Sequence, residues 1–151
     1  MTRIDNDKIG TLLGRKVRRL HFEVLNLAGR IDFRHAKPLL EFEGGSHLCI
    51  ALGPQDDEIV LLTSIPAFKH ECPITDWFYL RSQVGAVERY ELVESPLVAH
   101  LRKNSVTNVI TVVDKNGSLE KVEIQFGAVS LRAEIGVEGL EVEIVDLNAD
   151  R

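Results

Sequence analysis

Residues 38–62 read PLLEFEGGSHLCIALGPQDDEIVLL. Short apolar runs end at Phe42, Leu52 and Leu62, and they are divided by Gly44-Gly45-Ser46 and by Gly53-Pro54-Gln55-Asp56-Asp57. Gly, Pro, Asn, Asp and Ser mark turns because each favours a backbone path that a regular strand cannot follow. The stretch is therefore predicted to be a strand meander with tight turns. A second stretch, SLRAEIGVEGLEVEIV at 130–145, has the same design. One constant displacement sets Leu48 on Leu131, Ile50 on Ala133, Leu52 on Ile135, Gly53 on Gly136, Glu58 on Glu141, Ile59 on Val142 and Leu61 on Ile144. Side chains two apart share a sheet face, so the apolar positions coincide in register.

The correspondence extends toward the N-terminal side of each stretch. Asn6 caps a short predicted helix in which Ile9, Leu12 and Leu13 share a side before Gly14 stops it. Ser95 caps another, with Pro96 at the first helical position and Val98 and Leu101 repeating the spacing. The hydroxyl accepts an orphan N–H, and proline has none to lose. A single displacement carries Asn6 onto Ser95, Ile9 onto Val98, Leu12 onto Leu101, Val17 onto Val106, Leu20 onto Val109 and Val24 onto Val113. The run VTNVITVVDKNGSLEKVEIQF, starting at Val106, alternates on both sides of Asn116-Gly117, which is a strong hairpin signal. The expected fold is α+β and mostly antiparallel: two related helix-plus-four-strand meander repeats packed together. The whole chain, 1–151, is read as a single domain, with repeats at about 5–63 and 94–146 and an insert at 64–93. Within the insert, ITDWFYLRS (74–82) and AVERYELVE (86–94) are strand candidates.

Composition is that of an ordinary globular chain, 44% apolar and 27% charged. The net charge is −5, and lysine and arginine form no long run, so a nucleic-acid partner is disfavoured and a basic protein partner is easily accommodated. No apolar run reaches the ~20 residues of a membrane span. The opening MTRIDNDKIG has no apolar signal-peptide centre, which places the expected location in the cytoplasm. The cysteines, Cys49 and Cys72, are too few for a disulfide framework.

Zinc-ligand side chains recur as His47-Leu48-Cys49 and His70-Glu71-Cys72. Along a strand His47 and Cys49 point to one face, as chelation needs. The one-residue spacing is tighter than in familiar zinc sites, and a buried thiol explains Cys49 equally well. Ser46, His47 and Asp56 or Asp57 can be drawn as a hydrolytic set, but Gly44-Gly45-Ser46 reads equally well as a turn. No nucleophile elbow, HExxH, phosphate loop or dinucleotide fingerprint is present, and no cofactor is expected. Acidic residues are more prominent: Asp56, Asp57 and Glu58 form one corner, and Glu134, Glu138, Glu141, Glu143 and Asp146 follow near the end. Glu141 and Glu143 share the strand face opposite Val142 and Ile144. Such a face is either a solvated exterior or a landing surface for a basic partner. Trp77, Tyr79 and Arg81 are of the types enriched at binding hot spots.

The phrase PLLEFEGGSHLCIAL followed by DEIVLL, with the preceding LLGRKVRRLHFEV, resembles a pattern of small β-rich bacterial proteins. Several of these are similar to immunity proteins encoded beside polymorphic or contact-dependent toxins. The resemblance spans about 9–63 and 95–146, assigns no functional residue, and has no counterpart for the insert. It implies a non-catalytic protein-binding module that neutralises a basic toxin, with Asp56, Asp57, Glu58, Trp77, Tyr79, Arg81, Glu141 and Glu143 as the binding residues expected from their chemistry. The alternatives are a homo-oligomeric structural or regulatory β protein, as a homodimer pairing its own sheet edges, and a small hydrolase or zinc-site protein using His47, Cys49, His70 and Cys72.

Overall fold

A computed structural model describes residues 4, 6–27, 30–31, 36–53, 55–63, 72–74, 77–79, 87–91, 96–137 and 139–148. The main body is two antiparallel sheets. A 3-10 helix, Asn6–Leu12, leads into β1 (Val17–Leu27), which is followed by a short β2 (Arg30–Ile31), β3 (Lys37–Phe42), β4 (His47–Leu52) and β5 (Ile59–Leu62). These strands stand in the order β2-β1-β3-β4-β5. Three insert strands follow: β6 (Cys72–Ile74), β7 (Trp77–Tyr79) and β8 (Val87–Glu91). The first two form their own hairpin, while β8 joins the first sheet beside β1, from His21 opposite Glu91 to Leu25 opposite Val87. Then comes α1 (Pro96–Lys103) and the second sheet: β9 (Asn108–Val113), β10 (Leu119–Phe126), β11 (Val129–Gly136) and β12 (Gly139–Asp146), in the order β12-β11-β10-β9.

Turn chemistry sets these registers. Gly44 and Gly45 both take positive φ, 93° and 91°, and let Phe42 N–H reach Ser46 O at 2.8 Å. The predicted Asn116-Gly117 hairpin is longer than a two-residue turn. Asp114 Oδ1 accepts from the amides of Asn116 and Ser118 at 2.8 and 3.0 Å, and Gly117 N–H returns to Asp114 O at 3.0 Å. A carboxylate that binds its own downstream amides stabilises this wider loop.

The sheets face each other across one core. Phe42, Leu48 and Ile50 from the first sheet, and Ile124, Phe126 and Leu131 from the second, are fully buried in the same cluster. Burying each such side chain contributes about 1.5–3 kcal/mol. Cys49 points the other way, into a smaller cluster with Leu39, Ala51 and Val60, so β4 is buried on both faces. Helices seal the core ends: Ile9, Leu12, Val98 and Leu101 are buried. Leu13 departs from expectation. It lies just past the last helical residue and is exposed, because the leading helix is 3-10 and ends at Leu12.

Each helix packs against the other sheet's first strand: α1 touches β1, and the 3-10 helix touches β9. A backbone clasp joins the two approaches. Gly14, at φ 82°, donates to Val106 O at 2.9 Å, Val106 N–H donates to Arg15 O at 2.8 Å, and Lys16 pairs with Ser105 in an antiparallel bridge.

Candidate functional site: an acidic sheet face

The hairpin at Gly127, with Phe126 opposite Val129, fixes which side chains of the second sheet look outward. Val122, Ile124, Leu131, Ala133 and Val142 go to the core. Their neighbours Lys121, Glu123, Arg132, Glu134, Glu141 and Glu143 therefore share the outer face. Register then places Glu123 opposite Arg132, Arg132 opposite Glu143, and Glu134 opposite Glu141.

The centre of this face is ordered by one carboxylate. Glu123 is 6% exposed, and its Oε1 accepts from Ser130 Oγ at 2.7 Å and from Arg132 Nε at 2.8 Å. Burial alone would raise this carboxyl's pKa. The hydrogen bonds from Arg132 and Ser130, with the charges of Arg132 and Lys121, outweigh burial and hold it below the ordinary value. Arg132 also leans toward Glu143, with Nη1 3.8 Å from Oε1. Arg132 and Lys121, which stands opposite Glu134, offset part of the charge, and acids still outnumber bases on the face. Glu134, Glu141 and Glu143 surround Arg132, lining with it and Val142 a hollow of about 260 Å³.

The sequence-derived binding residues fall in several places. Glu141 and Glu143 lie together on this face. Asp56 and Asp57 are exposed in the β4–β5 turn, where Asp56 takes φ 56°, and Glu58 is half-buried behind them. That turn adjoins the β11–β12 hairpin: a β-carbon on Gly139 would stand 3.7 Å from Leu52 Cδ1. Trp77 and Tyr79 lie on β7, opposite Ile74 and Cys72 of β6, and Arg81 lies outside the described residues. His47 begins β4 opposite Glu41, and His70 is also outside the described residues. Among the described residues no group of His, Cys, Asp and Glu is placed to hold a metal ion.

Reading the sequence alone overlooked Glu123, Ser130 and Arg132. Their period-two spacing was the available signal, but only the register across the Gly127 turn makes them partners. It also overlooked a basic hollow of about 380 Å³ lined by Lys16, Arg18, Arg102 and Lys103, with Val17, Glu43 and Ala99. It joins the start of β1 to the end of α1, so no run in the sequence announces it. Arg18 there reaches Glu41 at 3.8 Å, and Arg15 lies over the Phe42 ring at 5.8 Å.

Comparison with protein-family models, with curated proteins and with solved structures finds no match to this chain. Among the described residues, no helix is long and apolar enough to cross a membrane.

Proposed function

We propose that the chain is a non-catalytic protein-binding module that docks a basic protein surface on the outer face of its second sheet. The observation that carries this reading is the register of Glu134 directly opposite Glu141, with Glu143 beside them. Like charges opposed across a strand pair destabilise a sheet by a few tenths to about 1 kcal/mol. A lysine or arginine brought by a partner would reverse the sign of that interaction. The exposed acids also raise the rate of encounter with a cationic surface. Asp56 and Asp57, at the neighbouring hairpin tip, extend the same field. The most concrete form of this reading is an immunity protein that occludes a basic toxin domain.

The same reading takes the two sheets as copies of one unit. Lys16 and Ser105, which pair with each other, stand at the displacement that relates Val17 to Val106. Each sheet also has a glycine under a glutamate side chain, Gly53 under Glu58 and Gly136 under Glu141, at positions the second displacement superposes. A duplicated scaffold with one strongly acidic outer face suits a binding protein, whose specificity resides in surface side chains on a rigid frame.

The test is co-expression with the toxin gene nearest to this one in its native genome. Wild-type chain should restore growth and co-purify with the toxin domain in a salt-sensitive complex. The variant Glu134→Gln/Glu141→Gln/Glu143→Gln should fold and lose both effects. Equal protection and equal binding by the variant would refute the acidic-face reading.

A further inference from the structure

We infer that the outer edge of β9 is the docking edge for a second copy of this chain, joined by antiparallel pairing of Asn108–Val113 with its own equivalent. An open strand edge presents unpaired N–H and C=O groups and is ordinarily blunted by charge or covered. Three borders of the two main sheets are treated so. β12 carries Glu141, Glu143 and Asp146. β5 is covered where Ile4 N–H donates to Leu61 O at 2.7 Å. β8 carries Glu88, Arg89 and Glu91. β9 reads NVITVV and has no charge at all.

Four of its six side chains are apolar, and apart from Val109, which packs against the core, the strand is exposed. Thr111 and Val109 pair with core-facing Val122 and Ile124, so Ile110 and Val112 belong to the outer face. Ile110 is 39% exposed, Val112 44% and Val113 49%, and Leu13, on the 3-10 helix side of β9, is 52% exposed. The first sheet shows what such an edge takes. β1, its leading strand, is covered along His21–Leu25 by antiparallel β8. Among the described residues β9, the leading strand of the second sheet, has no such neighbour.

The composition of the strand selects the occupant. Centred on Thr111, self-pairing sets Ile110 opposite Val112 on the outer face and Val109 opposite Val113 on the other. These β-branched pairs suit a sheet, and no like charges meet, in a chain whose net charge of −5 opposes most other contacts between copies. A foreign strand is commonly selected by charges, and β9 carries none. The pairing is isologous and closes at two copies. It joins two four-stranded sheets into one and leaves β12, at the opposite border, accessible, so it stands independently of the acidic-face reading.

Sedimentation equilibrium of the full chain over a wide concentration range tests this. A reversible dimer is expected, and Val112→Lys should weaken it on the order of tenfold or more, with an unchanged circular dichroism spectrum. Thr111→Cys, in a Cys72→Ser background, places the new thiol next to the two-fold axis and should give a disulfide-linked dimer on mild oxidation. It keeps the proposal testable should Val112→Lys fail to fold. A wild type that stays monomeric throughout assigns the edge to some other strand and overturns the proposal. So does a dimer of unchanged strength in folded Val112→Lys, or a Thr111→Cys chain that oxidises no faster than one carrying Glu120→Cys.

Discussion

The side chain of Glu141 lies across Gly136, in the space a β-carbon would fill. Glycine at this position lets the carboxylate fold back over its own hairpin and remain among the other acids. Gly136→Ala should push Glu141 aside. The stability change should stay within about 1 kcal/mol, because the group displaced is the end of a side chain and alanine leaves the unfolded chain less conformational freedom to lose than glycine does. The Glu141 carboxyl resonance should move in a carbon-detected NMR spectrum at fixed pH, and an unmoved resonance would contradict the placement. Gly53→Ala, whose new carbon would stand 3.1 Å from Glu58 Cγ, should disturb Glu58 more mildly.

Arg132 and Glu123 form the bond that organises the acidic face, at 2.8 Å. Arg132→Leu leaves a buried carboxylate short of its strongest donor and should lower stability by about 1–3 kcal/mol in urea unfolding. Adding Glu123→Leu should recover part of that loss, because both polar groups are then gone. A double variant no more stable than the single one would show that the pair is not coupled in this way.

Acid should act on the same carboxyl. Its pKa in the folded protein lies below the ordinary value, so the folded state binds fewer protons there than the unfolded chain. The resulting stabilisation is complete above the ordinary carboxylate pKa. It declines as pH falls through that value toward the folded one, and is absent below both. Glu123→Gln should flatten this part of the stability–pH curve. An acid limb as steep as wild type would assign the dependence to other groups.

The meander of β3, β4 and β5 was legible because alternation and the Gly44-Gly45 turn are local signals. So were the core roles of Ile9, Leu12, Val98 and Leu101. The exposure of Leu13 was not, because 3-10 and α winding differ by a fraction of a residue per turn and the sequence does not choose between them. The pairing of β8 with β1 was hidden for another reason: it joins segments far apart in the chain, and nothing in VERYE names its partner. Of the acidic face, Glu141 and Glu143 could be read from their spacing. The Glu123–Arg132 bond could not, because one residue of slip across Phe126–Val129 would have turned each to the other side.

The clasp between the sheets rests on backbone groups that few substitutions reach. Val106→Pro removes the N–H that Arg15 O accepts at 2.8 Å. It should destabilise the protein by about 1–3 kcal/mol or more, measured as a lower urea midpoint. An unchanged midpoint would mean that the clasp adds nothing to the packing of Val17 and Val106 beside it.

The helix contacts that cross from one half to the other also bear on the order of events at the ribosome. β1 waits for α1, and the 3-10 helix waits for β9, although synthesis delivers them far apart. At roughly 5–20 residues per second, the greasy inner side of the earlier half stays naked for several seconds while the remainder is being translated. During that interval the nascent chain is a natural client for chaperones, and cutting the gene between the halves would release two fragments that can mature only in each other's company.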